Sequence, residues 1–372
     1  MAIRMCVLCL TFLLSSLFFG VGMSSAYAET ADDWIAYLDD ADPEVRMSAV
    51  RALGKLAGTG EAKKAAPSVV QAFKKEKDAR VRYKLVWALG KMGPAAAASV
   101  PDLVAALEDK DLVYRVAETL GEIGPAAKAA IASLILALAR EEVVHAVARA
   151  LGKIGADSMP ALIEAATSKE ARVRAGVAEA FGEMGHRRAA SSVGGGDSRV
   201  DKAVPTLSAL LKDVKSDVRY HAARGLGMFQ THASGAVPAL AEALKDKEKD
   251  VRYQSSLALG KIGAAAVPAL VAALEDANAC PWALKAFGAI GANAKDAVDS
   301  VIKTLDNDNA DVRYEAIWVL SQIGDAAQSA VPQLKKIAKE DASEVNRARA
   351  KQALTQIRPP EKKEEKKEEE KK

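Results

Sequence analysis

Cysteine is scarce in this chain. Three occur, and Cys6 and Cys9 lie in an apolar N-terminal stretch, which leaves Cys280 alone in the rest of the sequence. A single thiol excludes an internal disulfide framework, so stability must come from packing. Cys280 itself reads as a small buried residue. Aromatics make up only 5% of the chain, which excludes a large aromatic core and suits close packing of small residues. Neither charge sign dominates: 52 Lys and Arg face 49 Asp and Glu. No strong field for nucleic acid or anionic lipid follows, and neither is expected as a partner. Histidine is limited to His145, His186, His221 and His232, none in a metal-ligand spacing. No Gly-x-Ser-x-Gly elbow and no strand-borne Rossmann glycine pattern occurs. The sequence therefore offers no catalytic constellation, no metal site and no cofactor site.

Long apolar runs are confined to the start. Arg4 precedes the mostly apolar stretch from Met5 to Val21, and Ala26-Tyr27-Ala28 supplies small residues where a signal peptidase cuts. The expectation is a signal peptide over 1–28, a mature chain beginning at Glu29 and an exported protein, periplasmic, envelope-associated or secreted. A retained anchor is the alternative reading. Elsewhere charge interrupts every long apolar stretch, so no membrane span is expected after cleavage. After Pro359-Pro360 the tail is only Lys and Glu, and residues 359–372 are expected to be disordered.

What the sequence does contain is one phrase, repeated. A Val-Arg step is followed eight residues later by a Gly and then an Ile/Met-Gly stop, as in Val81-Arg82 to Gly90-Lys91-Met92-Gly93 and Val251-Arg252 to Gly260-Lys261-Ile262-Gly263. The aligned small residues are Gly54, Gly90, Gly121, Gly152, Gly182, Gly227, Gly260, Gly288, Ser321 and Thr355. A period near thirty means stacked supersecondary units rather than one globular core. Each unit reads as two helices. The first opens near a recurring proline (Pro67, Pro101, Pro160, Pro205, Pro238, Pro268, Pro332), where the missing N–H does no harm. The second carries one apolar stripe, clearest in Val312, Ala316, Val319, Leu320 and Ile323, and ends at a glycine such as Gly324. An internal glycine costs about 1 kcal/mol relative to Ala in a helix interior. Its recurrence predicts close approach of a neighbouring helix.

The phrases Asp42-Pro43-Glu44-Val45-Arg46, Asp217-Val218-Arg219-Tyr220 and Asp311-Val312-Arg313-Tyr314, each with a later Leu-Gly/Ser-x-Leu/Ile/Phe, resemble HEAT repeats of the short subclass named after phycobilisome lyases. The resemblance covers about residues 31–357. It implies an all-α superhelix of about ten antiparallel helix pairs over 29–358, interrupted by an insertion near 186–202. That insertion, His186 to Arg199, reads as a flexible loop. Its glycine triplet lacks the Gly-Lys-Ser/Thr and the preceding strand of a phosphate loop.

Seven arginines recur at one position: Arg46, Arg82, Arg174, Arg219, Arg252, Arg313 and Arg347. They are replaced by Val113, Val144 and Cys280. They fall at the edge of the apolar stripe, where they are expected to pair with turn acids and tie units together. The two consecutive units without the arginine should be less regular. With the Val of the phrase as position 0, positions 2, 3, 6 and 10 lie on the opposite side. In HEAT-like solenoids, the resemblance implies, second helices line the concave surface. Tyr83, Tyr114, Tyr220, Tyr253 and Tyr314 occupy position 2, as seam-covering or partner-binding residues. Trp87 and Trp318 occupy position 6 and do not otherwise recur, which makes them the better candidates for recognition. Arg187 and Arg188 in the insertion are further candidates.

The functional expectation is a monomeric, exported, non-catalytic scaffold that binds a protein or peptide along its concave face. An accessory subunit or lyase-like enzyme acting on a tetrapyrrole or other cofactor is the alternative, and a structural envelope component a third.

Overall fold

The computed structural model describes residues 30–190 and 197–357. The expected signal peptide and the Lys/Glu tail lie outside the described residues. Within them the chain forms twenty α-helices in ten antiparallel pairs, joined by short turns and 3-10 segments, with no strand. First helices are α1 (Ala31–Ala36), α3 (Gly60–Lys75), α5 (Val100–Ala105), α7 (Ile131–Ala137), α9 (Met159–Ala165), α11 (Ala203–Leu210), α13 (Val237–Ala243), α15 (Val267–Ala273), α17 (Val298–Thr304) and α19 (Val331–Glu340). Second helices are α2 (Pro43–Lys55), α4 (Ala79–Met92), α6 (Val113–Ile123), α8 (Val144–Ile154), α10 (Ala171–Ala190), α12 (Ser216–Phe229), α14 (Lys249–Ile262), α16 (Cys280–Ile290), α18 (Ala310–Ile323) and α20 (Glu344–Gln356).

Proline stands in the first turn of α5, α9, α13, α15 and α19. Pro67 differs and sits inside α3, whose first two turns replace the 3-10 segment found elsewhere. Six of the ten second helices end at a glycine with positive φ, as at Gly93 and Gly324, a conformation that an L side chain resists. In α12 the same place is held by Gln230 at φ 51°.

Apolar stripes from both rows meet in one continuous core of Ala, Val and Leu, with Phe181, Phe229 and Phe287 its largest fully buried side chains. Each fully buried Leu adds about 1.5–3 kcal/mol. Second helices pack closely on one another all along the array, whereas the row of first helices and their 3-10 segments packs less densely from unit to unit. The stack therefore curves, with the second helices inside. The internal glycines set that spacing. A Cβ on Gly121 would stand 3.0 Å from the Ala150 Cα, and one on Gly227 3.2 Å from the Ala258 Cα. Close approach is thus the reason for the recurring glycine.

Two stretches, Val113–Ala137 and Lys249–Ala273, have the length and apolarity of a membrane span. Neither is one rod: each folds at a positive-φ glycine, Gly124 or Gly263, into a second helix, a 3-10 turn and the next first helix.

The insertion departs from the expected loop. Residues 186–190 continue α10, so Arg187 and Arg188 are helical. Gly185 does not end the helix because it receives the Phe229 ring instead of taking positive φ. His-Arg-Arg-Ala-Ala then lets the helix run on. A 3-10 turn over Ser198–Lys202 leads into α11.

Candidate binding surface

The recurring arginines shape the seams first. In all seven, Nη1 donates to the carbonyl six residues earlier, at 2.6–3.4 Å, as in Arg219 to Asp213 and Arg347 to Asp341. Four also reach a carboxylate in the turn of the following unit. Arg46 donates to Glu76, Arg174 to Asp213, Arg219 to Asp246 and Arg313 to Asp341, each through Nε and Nη2. Forked guanidinium–carboxylate pairs of this kind are strong and directional. Hydrogen bonding from Arg174 holds Asp213 below the usual carboxylate range. Burial pushes Asp246 up, but Arg219 and the Glu248 N–H outweigh it and hold the carboxyl low.

Where the arginine is missing, the second helix starts three residues later. α6, α8 and α16 have 11 residues, and their entry residues Leu112, Val143 and Ala279 lack the extended conformation found at Asp42, Asp78 or Asn309. The clamp on the i−6 carbonyl is what holds the turn extended. Two other arginines serve these seams instead: Arg140 donates to the Leu107 carbonyl at 2.8 Å and Arg172 to the Ala139 carbonyl at 3.1 Å. Cys280 begins α16 as a buried thiol whose pKa burial raises, which makes it a packing residue.

Opposite the core stripe, positions 2, 3, 6 and 10 form the inner face. The position-2 tyrosines mostly engage the position-3 residue of the next second helix. The Tyr83 hydroxyl accepts from Arg115 at 2.7 Å, with the guanidinium 5.1 Å above the ring. Tyr253 meets Trp282 edge-on at 6.5 Å, and Arg349 lies 5.0 Å over Tyr314. Tyr220 instead packs edge-on against its neighbour His221. Tyr114 stands 46% exposed. Trp87 and Trp318 are half-buried, each with one side of its ring over the internal glycine of the preceding unit, Gly54 and Gly288. The five tyrosines and two tryptophans thus share one face. Arg187 and Arg188 do not. They sit at its edge beside Asp157 and Arg199, with Arg188 3.4 Å from Asp201.

The centre of the face holds a cluster that sequence reasoning missed. α8, α10 and α12 pinch together, with Gly182 and Gly225 nearly backbone to backbone. Above that small-residue floor lies a cleft of about 290 Å³, rimmed by Arg149, Glu183, His186 and Arg224. His145 Nδ1 lies 2.7 Å from Glu179, and its ring is 6.3 Å from that of His221, two second helices away. His221 is largely buried and its Nδ1 has no hydrogen-bond partner. Burial lowers its pKa, with Arg224 and His145 acting the same way against Asp217 and Glu179. Histidine spacing along the chain shows none of this. The position-6 row (Arg149, Glu179, Arg224) was the available signal. Among the described residues, no group of three or more His, Cys, Asp or Glu is arranged to hold a metal ion.

The HEAT-repeat family profile matches residues 31–121, 66–143, 130–195, 204–280 and 281–355. No curated protein matches the chain. Among solved structures, an engineered protein is 22% identical over 88% of this chain and 98% of its own, with a TM-score of 0.40. A mutant of Kap121p is 16% identical over 88% of this chain and 42% of its own, TM-score 0.56. Kap121p bound to Pho4p gives 16%, 88%, 41% and 0.56. This chain spans less than half the length of Kap121p, and at this identity the likeness is one of fold alone.

Proposed function

This chain belongs to the HEAT-repeat family, and on that premise we propose that it is an exported, non-catalytic scaffold holding a protein segment along the inner face of its second helices. One observation carries the reading. The inner face presents a row of tyrosines with Trp87 and Trp318, half-buried rings that each rest on a glycine, the Trp87 ring also carrying the Lys84 ammonium 5.4 Å from its centroid. Rigid, half-exposed aromatic rings are the residue type most enriched where binding energy concentrates. A curved stack with its backbone hydrogen bonds satisfied within helices presents such a face over many units. Kap121p, a structure of this fold, is seen bound to Pho4p. Export is supported by the N-terminal stretch ending in Ala26-Tyr27-Ala28.

The test places a photo-crosslinking amino acid at Tyr114 on the inner face and, separately, at Leu136, which is 78% exposed on first helix α7. Expression is in the native envelope. Crosslinks to a specific protein from 114 and none from 136 are expected. The reverse pattern would assign binding to the outer face. The absorbance spectrum of the purified protein tests the lyase-like alternative, since a bound tetrapyrrole would give a visible band.

A further inference from the structure

Resting on that inner-face reading, we propose that the segment held there is acidic, and that the cleft between Arg149 and Arg224 is its central anchor. The overall sequence is close to charge balance, but the inner face is not, because three of its five acids are already paired. Glu118 is paired with Arg115 at 2.7 Å, Glu122 with Lys153 at 2.7 Å and Glu179 with His145 at 2.7 Å. Glu315 is half-buried between Lys285 and Arg349, and burial raises its pKa. Among the described residues, Glu315 and Glu183 are the inner-face acids without an ion pair, and neither is fully exposed. In contrast, Lys55, Lys91, Arg149, Arg224 and Lys261 are exposed and, among the described residues, have no acidic partner within salt-bridge distance. These cations run from the first unit to the seventh: Arg149 and Arg224 share the position-6 row with Trp87 and Trp318, and the three lysines form the position-10 row beside it. Such a face is complementary to a chain of carboxylates interleaved with apolar side chains. At the centre, Arg149 and Arg224 flank the cleft of about 290 Å³ over a floor of glycine and alanine, room enough for one acidic side chain in fork geometry. A polyphosphate backbone is the less favoured occupant, since the unpaired cations stand in islands, with none from the third or fifth unit, and aromatic rings lie between them.

The test measures fluorescence anisotropy of three labelled probes with the full chain: a glutamate 20-mer, a lysine 20-mer and a thymidine 20-mer. The expected result is binding of the glutamate probe alone, weakening as salt rises from about 0.05 to 0.5 M. Arg149→Glu/Arg224→Glu should weaken it about tenfold or more. The outer-face control Lys335→Glu/Lys336→Glu makes the same charge change on α19 and should leave it within about twofold. Far-UV circular dichroism checks that both variants remain folded. No glutamate binding, an equal loss in the control, or tighter thymidine binding would each overturn the proposal. A crosslink from position 114 to a neutral or basic segment would sink the acidic assignment and leave the inner-face reading standing. Crosslinks from position 136 alone would sink both.

Discussion

Replacing Arg219 by alanine removes more than one contact. The guanidinium bridges α12 to the turn before α14. Nε and Nη2 meet the two Asp246 oxygens at 2.6 and 2.8 Å, and Nη1 meets the carbonyls of Asp213 and Val214 at 2.9 and 3.3 Å. Both side chains are more than nine-tenths buried, 8% and 9% exposed. After Arg219→Ala the Asp246 carboxylate stays buried with only the Glu248 N–H as a close donor. Breaking a buried pair from one side costs about 3–5 kcal/mol, mostly as the penalty for the stranded charge. The contrasting case is Arg80–Glu44, which joins the first turns of the neighbouring second helices α4 and α2 at 2.8 Å with both side chains 63% exposed. Its alanine variant should leave the unfolding midpoint where it was. Arg219→Met/Asp246→Leu removes both charges together and should recover most of the loss. Urea titration followed by circular dichroism reads the total. Hydrogen exchange should place the opening at α12 and α14, since repeat arrays fail locally. Equal midpoint shifts for Arg219→Ala and Arg80→Ala would refute the reasoning.

Other expectations follow from the same geometry. Two pH windows should appear in thermal unfolding. Glu76, Asp213, Asp246 and Asp341 are held below the usual carboxylate range, so their stabilisation is complete above about pH 5 and disappears as pH falls through their lowered values. His221 is held below its ordinary value of 6.5, so the unfolded chain takes up its proton first and stability declines as pH drops below about 6.5. His221→Gln should erase that upper step alone, and its survival in the variant would assign it elsewhere. Gln230→Gly should raise stability by about 1 kcal/mol in a denaturant titration, because the φ of 51° strains any side chain. Trp87→Ala/Trp318→Ala should lower partner capture about tenfold or more and the melting temperature only modestly, because each ring is only half-buried. Unchanged capture would reduce both rings to packing residues. Deleting residues 187–199 should leave the glutamate probe's affinity intact, since Arg187 and Arg188 stand at the edge of the face; a loss would move the site toward them.

Much of this protein is determined by local pattern. Every unit buries the same stripe, so ten helix pairs could be counted from the phrase around Val81–Gly93 and its copies. The helix-ending glycines and first-turn prolines are backbone requirements and were legible for the same reason. The recurring arginines were legible as seam residues because their edge position is fixed by helical angle. What only the tertiary structure decided concerns pairs far apart in the chain. Which carboxylate each arginine takes depends on the neighbouring turn's reach, so Arg46 finds Glu76 while Arg82 finds only a carbonyl and the Phe73 ring. The three-residue delay of α6, α8 and α16 follows from a clamp that is absent. Gly185 looked like a stop and became a socket for Phe229. The meeting of His145 with His221, and of Arg149 with Arg224, depends on how closely α10 lets its neighbours approach. Periodicity specifies a helix's own faces, whereas the distance between three successive helices is set by the side chains wedged among them, and that is where the inner face acquires its cleft.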